Sequence, residues 1–123
     1  MLKKIKTSKA AAAIGPYSQG VCVNNLLFTS GQIPICPQSG EIPEGIEAQA
    51  KQVMENLKAI AEAAGTDLSK TVKTTCYLTD MSHFALFNEI YAQYFTEKPA
   101  RSCVAVKELP RNVLVEVEAI III

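Results

Sequence analysis

The closing segment, Val113 to Ile123, does most to limit what this chain can fold into. At a period of two, Val113, Val115, Val117, Ala119 and Ile121 fall on one side of an extended strand, and Leu114, Glu116, Glu118, Ile120 and Ile122 on the other. The first side is uniformly apolar and suits the underside of a helical layer. The second mixes carboxylates with large aliphatics. A chain of 123 residues buries one core but has no further layer to cover that second side. Exposed patches of this kind mark interfaces, so the sequence predicts a homo-oligomer whose sheets meet there, with Glu116 in or beside the boundary. The run Ile120 to Ile123 would invite aggregation on a bare edge, which points the same way.

The rest of the chain supplies the partners of this strand. A short strand is predicted at Leu2 to Lys6. Two more, Ser18 to Val23 and Leu26 to Ser30, flank Asn24-Asn25, a tight hairpin turn because Asn tolerates positive φ. From Gly31 to Gly45, Pro34, Pro37, Pro43 and Gly40 exclude a central strand. Ile46, Ala50, Val53, Met54, Leu57, Ile60, Ala61 and Ala64 then recur at spacings of three and four, an amphipathic helix that ends at Gly65. Thr71 to Thr79 alternates Val72, Thr74, Cys76 and Leu78 against Lys73, Thr75, Tyr77 and Thr79, which is a strand. Asp80 or Ser82 caps a second helix, with the stripe Phe84, Phe87, Ile90, Tyr91, Tyr94 and Phe95 read as core. Pro99 ends it, Arg101 to Val106 is a strand, and Glu108 to Asn112 a turn. The order is βββαβαββ, an α+β fold in one domain over residues 1–123, with both helices on one face of the sheet.

Composition narrows function. Twelve Lys and Arg balance twelve Asp and Glu, so no long-range field gathers polyanions, which argues against nucleic acid as a partner. Hydrophobic residues at 49% and charged ones at 20% exclude disorder. Arg101 and Arg111 are the only arginines, so any bidentate clamp on a carboxylate or phosphate must use one of them. Cys22, Cys36, Cys76 and Cys103 are widely spaced and His83 is the only histidine, a pattern that offers no zinc site and reads as free thiols in a reducing compartment, with a disulfide pair as the alternative. The apolar patch Ala10 to Ile14 is too short for a signal peptide, and no run approaches the ~18 apolar residues of a membrane span, so a cytoplasmic protein is expected.

Arg101 and Cys103 lie two apart on one strand face, and a hairpin to the next strand is expected to bring Glu116 across from them. Two readings stay open: a structural ion pair, or an arginine clamp for a substrate carboxylate with Glu116 holding a water. Tyr17 sits on the rigid turn of IGPYSQG, and Ser30 to Pro34 reads as a strand exit. Cys103 has no base nearby in sequence, which weakens a thiolate nucleophile. No phosphate loop, GxSxG elbow or HExxH helix is present.

IGPYSQG at 14–20, TSGQIP at 29–34, AQAKQVMENLKAIAEAAG at 48–65, PARSCVAV at 99–106 and LPRNVLVEVEAI at 109–120 together resemble the RidA/YjgF reactive intermediate deaminase family, in order and over essentially the whole chain. The resemblance implies a chorismate-mutase-like subunit, a homotrimer with its sheets packed into a central barrel, and active sites in the clefts between subunits. It implies hydrolysis of 2-aminoacrylate, 2-aminocrotonate and their imines to 2-keto acids and ammonia. Arg101 falls on the family's carboxylate-binding arginine and Glu116 on the glutamate of its VEVEA strand. Tyr17, Ser30, Gly31, Asn88 and Cys103 also fall on family site positions. An imine carbon is already electrophilic, so the chemistry needs an anchor, a placed water and a proton route, and no metal or cofactor. Tyr94 to Pro99 is a few residues shorter than in many bacterial members, which leaves room for a different rim and substrate size preference with the same core chemistry.

The same residues also fit a module that binds or senses small carboxylic or keto acids without turnover. Members of the family have carried endoribonuclease and translation-inhibitor labels as well. RNA cleavage calls for a basic track and stacking aromatics, which this neutral chain with one histidine does not offer.

Overall fold

A computed structural model describes all residues, Met1 to Ile123. The elements are β1 (Leu2–Ile5), β2 (Gly20–Val23), β3 (Leu26–Thr29), α1 (Ile46–Ala63), β4 (Thr71–Leu78), α2 (Phe84–Tyr94), β5 (Ala100–Ala105) and β6 (Val115–Ile122), the expected order βββαβαββ. Single 3₁₀ turns at Leu68–Lys70, Met81–His83 and Pro110–Asn112 sit between them. One sheet holds all six strands in the order β1-β2-β3-β6-β4-β5. β6 runs antiparallel to both neighbours, and β4 and β5 are parallel, with α2 as their crossover.

Local chemistry explains the boundaries. Asn24 takes φ 53, which closes the β2–β3 hairpin with Val23 opposite Leu26. At the end of α1, Gly65 takes φ 82. The Gly65 amide donates to the Glu62 carbonyl and the Thr66 amide to that of Ala61, a Schellman pair that stops the helix. The Thr66 hydroxyl then donates to the Ile122 carbonyl at 2.6 Å and pins the helix end to β6. Before α2, the Asp80 carboxylate accepts from the Ser82 amide at 2.8 Å.

The core lies between the helices and one sheet face. Val53, Met54, Leu57 and Ile60 of α1 and Phe87 of α2 are fully buried against Leu27, Leu78, Val115, Val117 and Ile121. Each such side chain contributes about 1.5 to 3 kcal/mol. Alternate residues of β6 are buried, as its pattern predicts, while Glu116, Glu118 and Ile120 are partly exposed on the opposite, open face. β4 departs from its sequence reading at one point. Alternation puts Val72 on the buried side with Thr74, Cys76 and Leu78, yet it is 45% exposed. The register against β6 shifts between Thr71 and Lys73, and the bulge throws Val72 outward. No helix is long and apolar enough to cross a membrane.

Candidate functional site

The expected site residues form two separate groups. The first gathers around Gly31 on the open side of β6. Tyr17, Thr29, Ser30, Gly31, Ile33, Pro110, Glu116 and Glu118 line a cleft of about 340 Å³. The chain arrives there because Gln32 bridges Val117 in both directions, at 2.8 and 3.2 Å, beyond the end of β3. Between that bridge and the Phe28–Ile120 pair, Thr29, Ser30 and Gly31 stand opposite Glu118 and Ala119 alone. The extra residue makes a bulge that presents Gly31 to Glu116.

Neighbouring hydrogen bonds hold this geometry. The Ser30 hydroxyl donates to the Ser18 carbonyl at 2.5 Å and the Ser30 amide to the Gln19 carbonyl at 2.9 Å. Gln19 is buried; its amide nitrogen donates to the Thr7 and Ala11 carbonyls and its oxygen accepts from the Thr7 amide. These bonds fasten the amino-terminal segment and leave Tyr17 half exposed at the cleft edge. Burial, and then the neighbouring Glu118 charge, push the Glu116 carboxyl above its ordinary range. A larger hollow of about 720 Å³ runs along β1 and residues 4–19 and shares only Tyr17 with this cleft. It carries neither Glu116 nor Arg101.

The second group lies under α2. Arg101 donates from Nη1 to Asn88 Oδ1 at 2.7 Å. Its guanidinium carbon sits 4.8 Å from the centre of the Tyr91 ring and 5.4 Å from that of Phe84. Cys103, half buried, pairs in register with Cys76. Burial raises the Cys103 thiol, against a lowering by Arg101, so it is not an activated thiolate. Burial likewise pushes Cys76 up to about 12. All four cysteines are free. No three His, Cys, Asp or Glu side chains gather as a metal centre requires.

The expected meeting of Arg101 and Glu116 across a hairpin is overturned. β4 lies between β5 and β6, so the chain after β5 crosses over β4 instead of folding back beside it. Arg101 pairs with Thr74, whose side chain is buried on the helix side, whereas Glu116 pairs with Tyr77 on the open side. Within one chain the two charges occupy opposite faces. β4 wins the central position because its buried side, Thr74, Cys76 and Leu78, packs beneath the helices, while β5 leaves Ala100, Ser102, Val104 and Ala105 exposed. Sequence reading also misses Gln19, visible only as part of the IGPYSQG string, and Tyr91, which the helical stripe absorbs as core.

The fold and these groups define a small α+β protein of chorismate-mutase-like architecture, with an arginine cradle on one sheet face and a carboxylate cleft on the other. It belongs to the RidA/YjgF family, whose profile, described as Endoribonuclease L-PSP, matches residues 7–123. The chain is 51% identical to the 2-iminobutanoate/2-iminopropanoate deaminase of Escherichia coli K12, over 98% of this chain and 97% of the relative. Among solved structures, Escherichia coli TdcF with bound serine is 49% identical at a TM-score of 0.95, covering 98% of each chain. RidA from an Antarctic Psychrobacter is 48% identical at a TM-score of 0.96, covering 98% of this chain and 99% of that one.

Proposed function

We propose that this protein hydrolyses reactive 2-enamine and 2-imine acids, such as 2-aminoacrylate and 2-aminocrotonate, to 2-keto acids and ammonia. It does so in the cytoplasm, as one domain spanning residues 1–123, assembled as a homotrimer with sites between subunits. The observation that carries the reading is the Arg101 cradle. A guanidinium stacked on two rings, with one of its five N–H donors on Asn88, keeps the rest of its fork for an external carboxylate. The deaminase relative acts on 2-imino acids, and the serine held by TdcF is a ligand of similar size that carries the same carboxylate.

Arg101 anchors the substrate carboxylate. Glu116 of a neighbouring copy, with main-chain acceptors near Gly31, orients a water against the imine carbon. Water adds its oxygen to that carbon, its proton passes by way of Glu116 to nitrogen, and the C–N bond of the resulting carbinolamine breaks to release ammonia and leave the keto acid. Tyr17 assists binding or proton transfer at the cleft edge. Ser30, Gly31, Asn88 and Cys103 line the substrate, Asn88 by steadying Arg101. The composite arrangement explains why one chain keeps Arg101 and Glu116 on opposite faces: each serves a different site.

The test supplies threonine to a pyridoxal-phosphate dehydratase and follows imine trapping by semicarbazide. The native protein should suppress trapping and speed keto-acid release, and Arg101→Ala should lose about 10- to 100-fold of that effect. A native protein without effect, or an Arg101→Ala variant as active as native, rejects the reading. The serine in TdcF also favours a second one, in which the same site binds small amino or keto acids without turnover. Saturable binding without suppression of trapping would select it.

A further inference from the structure

This inference rests on the reading of Arg101 as the carboxylate anchor. We propose that Tyr91, tied through its hydroxyl to Thr74, is a positioning residue that fixes the plane of the Arg101 guanidinium and so sets substrate affinity.

Arg101 stands on β5, an edge strand whose backbone pairs on one side only. A long side chain there surrenders considerable rotamer freedom when it is held in one orientation, so an anchor that is ready before substrate arrives needs restraint from its surroundings. α2 supplies it through Phe84, Asn88 and Tyr91, at spacings of four and three and thus on one helix side. Phe84 and Asn88 are partly exposed. Tyr91 is 8% exposed and its ring approaches the guanidinium most closely, at 4.8 Å.

What fixes the ring is a closed loop of contacts. The Tyr91 hydroxyl and Thr74 Oγ1 are 2.7 Å apart and buried, and Thr74 is the residue paired with Arg101 across the β4–β5 ladder. The arginine backbone is therefore held to Thr74, Thr74 to Tyr91, and the Tyr91 ring to the arginine side chain. Phe87 and Phe95 pack on the same ring at centroid distances of 5.7 and 4.7 Å. Phe and Val would fill this space without burying two hydroxyls, so the polar pair contributes orientation more than packing. Burial raises the Tyr91 phenol, which stays neutral and puts no negative charge in competition with a bound carboxylate.

The test measures calorimetric affinity for 2-oxobutanoate, together with KM, kcat and thermal midpoint, on Tyr91→Leu, Tyr91→Phe, Thr74→Val and the Tyr91→Phe/Thr74→Val pair. An anchor that grips ground state and transition state alike shows itself in KM and Kd rather than kcat. Tyr91→Leu should weaken both about three- to thirtyfold. Tyr91→Phe and Thr74→Val should each weaken them about two- to fivefold, and the double variant no more than either alone. If Tyr91→Leu fails to fold, the two conservative variants decide. Native affinity in these variants, or a fall in kcat at unchanged KM, overturns the proposal while Arg101→Ala still weakens binding about tenfold or more. An Arg101→Ala variant that binds 2-oxobutanoate like native rejects the anchor reading itself.

Discussion

Gly31 shows how one residue can be dictated by another far away in sequence. A Cβ built on it would fall among the Glu116 carboxylate atoms, 2.8 Å from Cδ and 3.1 Å from Cγ, so the side chain of Glu116 lies where any larger residue would stand. Gly31→Ala should displace that carboxylate and lower imine hydrolysis about tenfold or more while leaving the thermal midpoint close to native. The semicarbazide assay and a melting curve check both halves. The charge on Glu116 offers a second handle. Burial, and then Glu118, hold its pKa up, and the proposed mechanism needs the ionised carboxylate. Removing the like charge by Glu118→Gln lowers that pKa, so the acid limb of the pH–rate profile should move to lower pH. A limb that stays put or moves upward would remove Glu116 from its role.

At the level of elements, local periodicity identifies both helices, the Asn24 turn and the two faces of β6 correctly, because each is written in neighbouring residues. Strand order is not legible. The place of β4 between β5 and β6 depends on which strand buries more surface beneath the helices, and no spacing within β5 or β6 encodes it. The Val72 bulge is equally invisible, since alternation alone makes Val72 and Thr74 equivalent. Nor can the proline-rich pattern of residues 31–45 show how the loop is held. Asn56, fully buried in α1, donates to the Ile33 carbonyl at 3.2 Å and the Ile35 carbonyl at 3.1 Å, and accepts from Gln52 at 2.9 Å. Asn56→Ala should cost about 2 to 4 kcal/mol in urea unfolding, because two loop carbonyls lose their donor.

For the molecule as a whole, the open face is the decisive feature. Register places Val21, Phe28 and Ile120 in one row and Val23, Leu26 and Ile122 in the next, with Phe28, Ile122 and Val104 exposed. The proposed trimer would cover such a surface, and the expected solution mass is that of three 13.3 kDa chains. The division of the site between faces allows a sharper test. Arg101→Ala and Glu116→Ala should each be impaired about tenfold or more alone, yet co-refolding equal amounts should restore about a quarter of native activity, since some clefts then draw an intact half from each variant. A mixture no more active than its components would reject the shared site.

The placement of Arg101 and Glu116 on opposite faces would make the proposed catalysis a collective property. A lone chain carries both groups on opposite faces and can bring neither to the other, so on the proposed function dilution below the assembly's dissociation range should silence the protein without unfolding it. On that proposal, turnover per chain depends on how many chains are present.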